Sequence, residues 1–264
     1  MNLYYLYCIN ELSQSPDRPE IQGINKKRVS VLAHRDIGAA VSPVSSSEFN
    51  QNKIKEKLQD MKWIEPKVRD HERVIEGIVS YSPSVVPMRF GTVYQSQKQV
   101  QKVLEANYLK FKKLLDKVKH ANEWSVKVYM NNKFFFDFIK NQDKEIKQLT
   151  KRLKGLKSEG ERYFLEKKIE DITKNKAQQG AQKYLTTIFN KLKKYARQGT
   201  TAQIFPKKLT QKDADMVLNA VYLVGGNNRA GFQKAVRDAS GEFKSIGLTF
   251  ETSGPWPAYH FVKL

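Results

Sequence analysis

The chain has 264 residues, 40% of them hydrophobic and 28% charged, and a formal net charge of +20. That length is long for one core and fits two modest domains. No stretch approaches the ~18 uninterrupted apolar residues needed to span a bilayer, and a single cysteine excludes both an intrachain disulfide and thiol metal clusters.

The N-terminus, MNLYYLYCINEL, has no basic region and no small-residue cleavage site. Its Tyr, Leu and Ile content predicts a strand over Leu3–Asn10, with Cys8 as a buried packing residue, in a chain that stays in the cytoplasm. A polar, Pro-containing loop is expected at Ser13–Glu20. Arg28–His34 and Ile37–Ser42 read as a hairpin, and Pro43–Asn50 as a Ser-rich loop. Val68, Val74, Ile75, Ile78 and Val79 recur at helical spacing, so a helix is expected over Glu65–Tyr81. Ser84–Met88 is a short buried strand whose Pro87 marks an edge or an end. Ser96–Lys119 reads as one helix with Val100, Val103, Leu104, Leu109, Phe111, Leu114, Leu115 and Val118 inward. An α+β domain over residues 1–120 is expected from this order.

Glu123–Met130 alternates and opens a second α+β domain, 121–264. Asn131–Lys157 is mostly helical, Gly155 and Gly160 bracket a break, and Arg162–Arg197 reads as one long helix. Its middle, Thr173–Gly180, lacks large apolar residues and is expected to project into solvent. Asn141–Ile172 then forms a helical hairpin of coiled-coil type, within long helices spanning about 141–198. The charge excess concentrates here: Lys98–Lys208 holds about 28 Lys and Arg against about 11 Asp and Glu. Strands are expected at Thr201–Phe205, Asp215–Val224 and Ile246–Thr252, with a helix over Arg229–Ser240. The order β-α-β-β-α-β matches a ferredoxin-like sheet.

The chemistry is sparse. His34, His71, His120 and His260 show no metal-ligand spacing, and no nucleophile elbow, Walker or dinucleotide fingerprint occurs. Gly225–Asn228 stands where a phosphate loop would, but two glycines and two asparagines favour a tight turn with an N-cap. His71-Glu72-Arg73 and Arg89 could converge for acid–base work. The plainer reading pairs Arg89 with a helix carboxylate, with Gly91 turning the chain and Thr92 capping the segment after it. The lysine excess admits nucleic-acid or polyanion binding, although no nucleic-acid-binding signature accompanies it.

Several blocks together resemble the gas vesicle protein F/L family. Tyr4-Tyr5-Leu6-Tyr7-Cys8-Ile9 is similar to its opening strand, and Val85–Tyr94 to its PxRFGT strand end, with Arg89, Phe90, Gly91 and Thr92 in register. His71 matches a helix histidine, Glu123–Val128 the strand holding Trp124, and Ala220–Val224 the "AYLV" strand. Gly254-Pro255-Trp256-Pro257-Ala258-Tyr259-His260-Phe261 is similar to the family's terminal GPWPPYSF. Ala258 and His260 depart from it, as does the basic charge beside acidic relatives from salt-loving organisms.

The resemblance implies two α+β domains, the N-terminal one ferredoxin-like, and no enzymatic activity or cofactor. It implies an accessory protein of gas vesicle formation. The expected partners are the hydrophobic shell protein and other accessory proteins, with no specific nucleic acid and no membrane. The aromatic tail, following the last strand of the second domain, is expected to dock across its own fold, with Trp256 and Phe261 packed inside; docking on a partner is the alternative.

Overall fold

The computed structural model describes residues 2–12, 20–50, 54 and 56–263; the loop expected at Ser13–Glu20 falls outside them, apart from Glu20. The chain divides into two compact units, Met1–Glu123 together with Pro255–Leu264, and Trp124–Gly254.

In the first unit, β1 (Asn2–Glu11) is apolar on both faces, and Tyr5 through Ile9 are fully buried. A strand of that kind belongs at a sheet centre. It pairs antiparallel with β3 (Ile37–Ser45) on one side and with β4 (Val85–Pro87) on the other. β2 (Ser30–His34) completes the order β2-β3-β1-β4, and the two-residue β5 (Val93–Tyr94) also pairs with β1. β4 ends the sheet at Pro87, which lacks the N–H needed to continue a ladder. The register slips between Leu6 and Cys8, a bulge at Tyr7. Ser45 closes β3 by capping a single helical turn, Ser46–Phe49, where a loop was expected.

Helix α1 (Met61–Val79) starts before the expected Glu65 because the Asp60 carboxylate accepts from the N–H groups of Lys62 and Trp63. It buries His71, Val74, Ile75 and Ile78 against the Tyr5 and Tyr7 side of the sheet. The single helix expected at Ser96–Lys119 is two helices, α2 (Gln97–Ala106) and α3 (Tyr108–Val118). Asn107 breaks them: its Nδ2 donates to the Val103 carbonyl, and its ψ of 16° leaves the helical region. The kink turns Leu109, expected inward, to 80% exposure.

The second unit runs β6 (Ala121–Met130), α4 (Asn132–Gln142), α5 (Lys144–Gly155), α6 (Glu159–Lys193), β7 (Gln198–Thr201), β8 (Asp215–Gly225), α7 (Arg229–Lys244) and β9 (Leu248–Trp256). Its sheet order, β7-β8-β6-β9, is the 2-3-1-4 arrangement of a ferredoxin-like βαββαβ unit, and the first unit has the same strand order. β7 lies upstream of the strand expected at Thr201–Phe205. Gly199 sits opposite Tyr222, whereas Gln203 is held off the ladder by the Asn219 side chain.

The middle of α6 does not project into solvent. Thr173 and Ala177 are buried, and a Cβ on Gly180 would meet Ile139 of α4 at 3.3 Å. Small side chains let the helices approach closely, which is why this stretch lacks large apolar residues. Asp143 caps α5 by accepting from the Ile146 N–H, and Lys176 of α6 reaches both Asp143 and Glu145 at 2.7 Å.

Candidate functional site

From Pro255 onward the described chain groups with the first unit, although β9 runs on to Trp256. Gly254, at φ 136°, permits the extended run into Pro255 and Trp256. Pro257, Ala258, Phe261 and Val262 are buried, whereas Trp256 is 44% exposed. The expected packing thus holds for Phe261 but not for Trp256. Burial of Phe261 and Val262 contributes roughly 1.5–3 kcal/mol each.

The segment is fixed by polar contacts as well. The Lys117 ammonium donates to the Phe261 carbonyl at 2.8 Å. Glu123, itself buried, accepts from the His260 backbone N–H at 2.8 Å and lies 2.7 Å from the His260 ring Nδ1. Burial raises the Glu123 carboxyl above the usual range, against the lowering pull of these two His260 bonds.

Tyr259 meets the unit's buried polar hub. Its hydroxyl donates to Glu72 Oε1 at 2.8 Å and lies 3.1 Å from His71 Nε2. His71 Nδ1 lies 3.0 Å from the Tyr5 hydroxyl, which accepts from the Gly91 N–H at 2.8 Å. One proton arrangement satisfies the whole chain. Gly91 N–H donates to Tyr5, Tyr5 O–H to His71 Nδ1, His71 Nε2–H to Tyr259, and Tyr259 O–H to Glu72. The His71 tautomer is set by the Tyr259 proton being given to the carboxylate. Burial holds the His71 imidazole down at about 4, opposed by a backbone hydrogen bond with Met88. Burial also raises the Tyr5 and Tyr259 phenols and the Glu72 carboxyl.

Phe90 packs edge-on against Tyr5, His71 and Trp63, with ring centroids 5.9 to 6.5 Å apart. Gly91 takes φ 85°, a region that disfavours side chains, and a Cβ there would stand 2.8 Å from Ile54 Cδ1. Thr92 closes the turn through its hydroxyl to the Arg89 carbonyl at 2.7 Å, and its own carbonyl accepts from Leu6 N–H. Three sequence blocks, Tyr4–Ile9, Arg89–Thr92 and Gly254–Phe261, therefore converge on His71.

An acid–base arrangement of His71 with Arg89 is not formed. His71 is enclosed, Arg73 pairs with Asp70 at 2.9 Å, and the exposed Arg89 has no carboxylate partner among the described residues. The expected ion pair of Arg89 with a helix carboxylate is absent there as well. Trp124 lies elsewhere, in the core of the second unit, 6.1 Å from Phe232 and under the Arg229 guanidinium. Gly225–Asn228 is a tight 3-10 turn into α7, and Asn228 makes no side-chain cap. Cys8 is buried, and its thiol is pushed up by desolvation. Glu72 and Glu123 are contributors whose roles sequence reasoning missed. Glu123 stands on the polar phase of the alternating strand, with Ser125 and Lys127, so the pattern carried no signal for its burial.

These features define a class: an α+β protein of ferredoxin-like type whose N-terminal unit is closed by a remote aromatic segment seated on a buried Tyr-His-Tyr relay. The model of the gas vesicle synthesis protein GvpL/GvpF family matches residues 3–263, and the chain belongs to that family. It is 25% identical over 260 residues to gas vesicle protein L of Streptomyces sp. (strain CB03234), covering 98% of this chain and 92% of that one. The fold is similar to crystal structures of GvpF from Anabaena sp. PCC7120 (TM-score 0.74, 18% identity) and Microcystis aeruginosa (TM-score 0.66, 20% identity). Each comparison covers 100% of this chain and 99% of the other.

Proposed function

We propose that this chain is a non-enzymatic assembly factor of gas vesicles that binds the hydrophobic shell protein and engages other accessory proteins. The observation carrying this is the family match across residues 3–263. The hub agrees with it: His71 is consumed in holding three segments together, with each ring nitrogen already engaged by a phenol. Large apolar side chains at the surface, such as Phe134, Phe164 and Leu209, offer contact area to an apolar partner, while the lysine-rich body keeps a complex soluble. Among the described residues no helix is long and apolar enough to cross a membrane. The factor would act in the cytoplasm, beside the forming vesicle.

The test is a pull-down with purified shell protein. Enrichment over an unrelated protein of equal positive charge supports the reading, and equal recovery of both refutes it. The net charge of +20 motivates a second reading, polyanion binding. Its signature is steep loss of DNA or RNA binding between low and moderate salt, and a flat response excludes it.

A further inference from the structure

A groove of about 700 Å³ opens on the first unit between the turn after β4, helices α2 and α3, and the docked Tyr259–Lys263 segment. Its base is apolar, formed by Leu6, Met88, Phe111 and Val262, all buried. Its rim carries Arg89, Lys110 and Lys263, all exposed. No lining residue is acidic.

The rim cations differ from their neighbours. On α3, Lys112 pairs with Asp36 at 2.7 Å, and just beyond its end Lys119 pairs with Glu11 at 2.9 Å. Among the described residues, no carboxylate lies within ion-pair distance of Arg89, Lys110 or Lys263. Local acids have thus neutralised the lysines beside the groove and left its rim positive. Pro87, at the sheet edge beside it, withholds a backbone donor, so recognition would rest on side chains and not on an added strand.

We propose that this groove binds an acidic, amphipathic peptide segment of a protein partner, with apolar side chains on the Leu6–Phe111 base and carboxylates on Arg89, Lys110 and Lys263. A small inorganic anion would satisfy the rim but leave the apolar base wet. A groove of this size accepts several apolar and polar groups together. The Arg89 guanidinium supplies a planar fork suited to a carboxylate. The docked segment supplies Val262 and Lys263, so the site exists only while that segment is seated. The inference goes beyond the assembly reading, because shell-protein capture can fail while peptide binding in the groove persists.

The experiment is fluorescence anisotropy on the full chain at about 0.15 M salt, where exposed charges are well screened. The probe is a short labelled peptide alternating Glu with Leu and Phe. Polyglutamate of equal length, the Lys counterpart of the probe and a single-stranded oligonucleotide are the comparators. Arg89→Glu with Lys110→Glu should weaken the probe at least about tenfold. Lys147→Glu with Lys151→Glu on α5, an equal change in net charge at exposed positions, should leave it within about twofold. Arg89→Gln with Lys110→Gln should weaken the probe in the same direction, and serves if the reversal variant misfolds. Equal binding of polyglutamate, equal loss from the α5 variant, or an oligonucleotide that displaces the probe fully would each overturn the proposal. So would a groove filled by a second copy, seen as dimerisation that the Arg89 variant abolishes while the probe fails to bind.

Discussion

Tyr259→Phe tests the closure of the first unit most directly. The substitution keeps the ring and removes one oxygen. Two groups lose their partner at once: the Glu72 carboxylate, 2.8 Å away, and the enclosed His71 Nε2, 3.1 Å away. A hydrogen bond to a charged acceptor is worth about 1.5–3 kcal/mol, and a buried donor left unsatisfied costs about 1–3 kcal/mol. The two share one oxygen and do not simply add, so the expected loss is about 2–4 kcal/mol. Urea denaturation at pH 7 reads it, with Leu109→Ala as the reference. Leu109 is 80% exposed, and its truncation should cost less than about 1 kcal/mol. A Tyr259→Phe protein as stable as wild type, or no less stable than the Leu109→Ala protein, would refute the relay as the tail's anchor.

The same geometry sets three further outcomes. His71 titrates near 4 in the folded chain against 6.5 unfolded, so its proton favours the unfolded state. This contribution is complete above pH 6.5 and is lost progressively down to about 4, amounting to about 2 kcal/mol between pH 7 and 5. The raised carboxyls of Glu72 and Glu123 act in the opposite direction. Paired urea titrations should therefore show His71→Gln lacking that slope, and parallel pH curves for the two proteins would contradict the assignment. Gly91→Ala forces a side chain to φ 85° and should cost about 1–2 kcal/mol, read as a lowered Tm. Ala177→Leu should destabilise by about 1–3 kcal/mol through overpacking; a neutral result would return the middle of α6 to solvent.

Local pattern made the strands and most helices legible. The alternation in Glu123–Met130 and the dense apolar run before Gly225 have only one comfortable conformation each. The convergence of blocks on His71 was not legible. A phenol 188 positions away from its imidazole leaves no periodic trace, and chain order pointed the aromatic segment to the strand before it. Trp256 misled because a large aromatic ring suggests burial; the smaller commitments of Tyr259 and Phe261 carry the docking. The small-residue stretch of α6 misled in the opposite sense, since absence of bulk serves close helix approach as readily as exposure. Asn107 carried its break in a side-chain bond to the preceding turn, which spacing alone does not reveal.

The first unit is also discontinuous in sequence, and that has a consequence in time. About 130 residues of the second unit separate Glu123 from Pro255. At the ~5–20 residues per second of synthesis, the ribosome delivers the closing segment roughly 7–25 s after Glu123. Throughout that interval His71 Nε2, Glu72 and Glu123 lack the partners the segment brings, and the groove lacks the wall that carries Val262 and Lys263. A nascent or truncated chain lacking that segment would present an unsealed first unit, so peptide capture by the groove would become available only once the segment has been made.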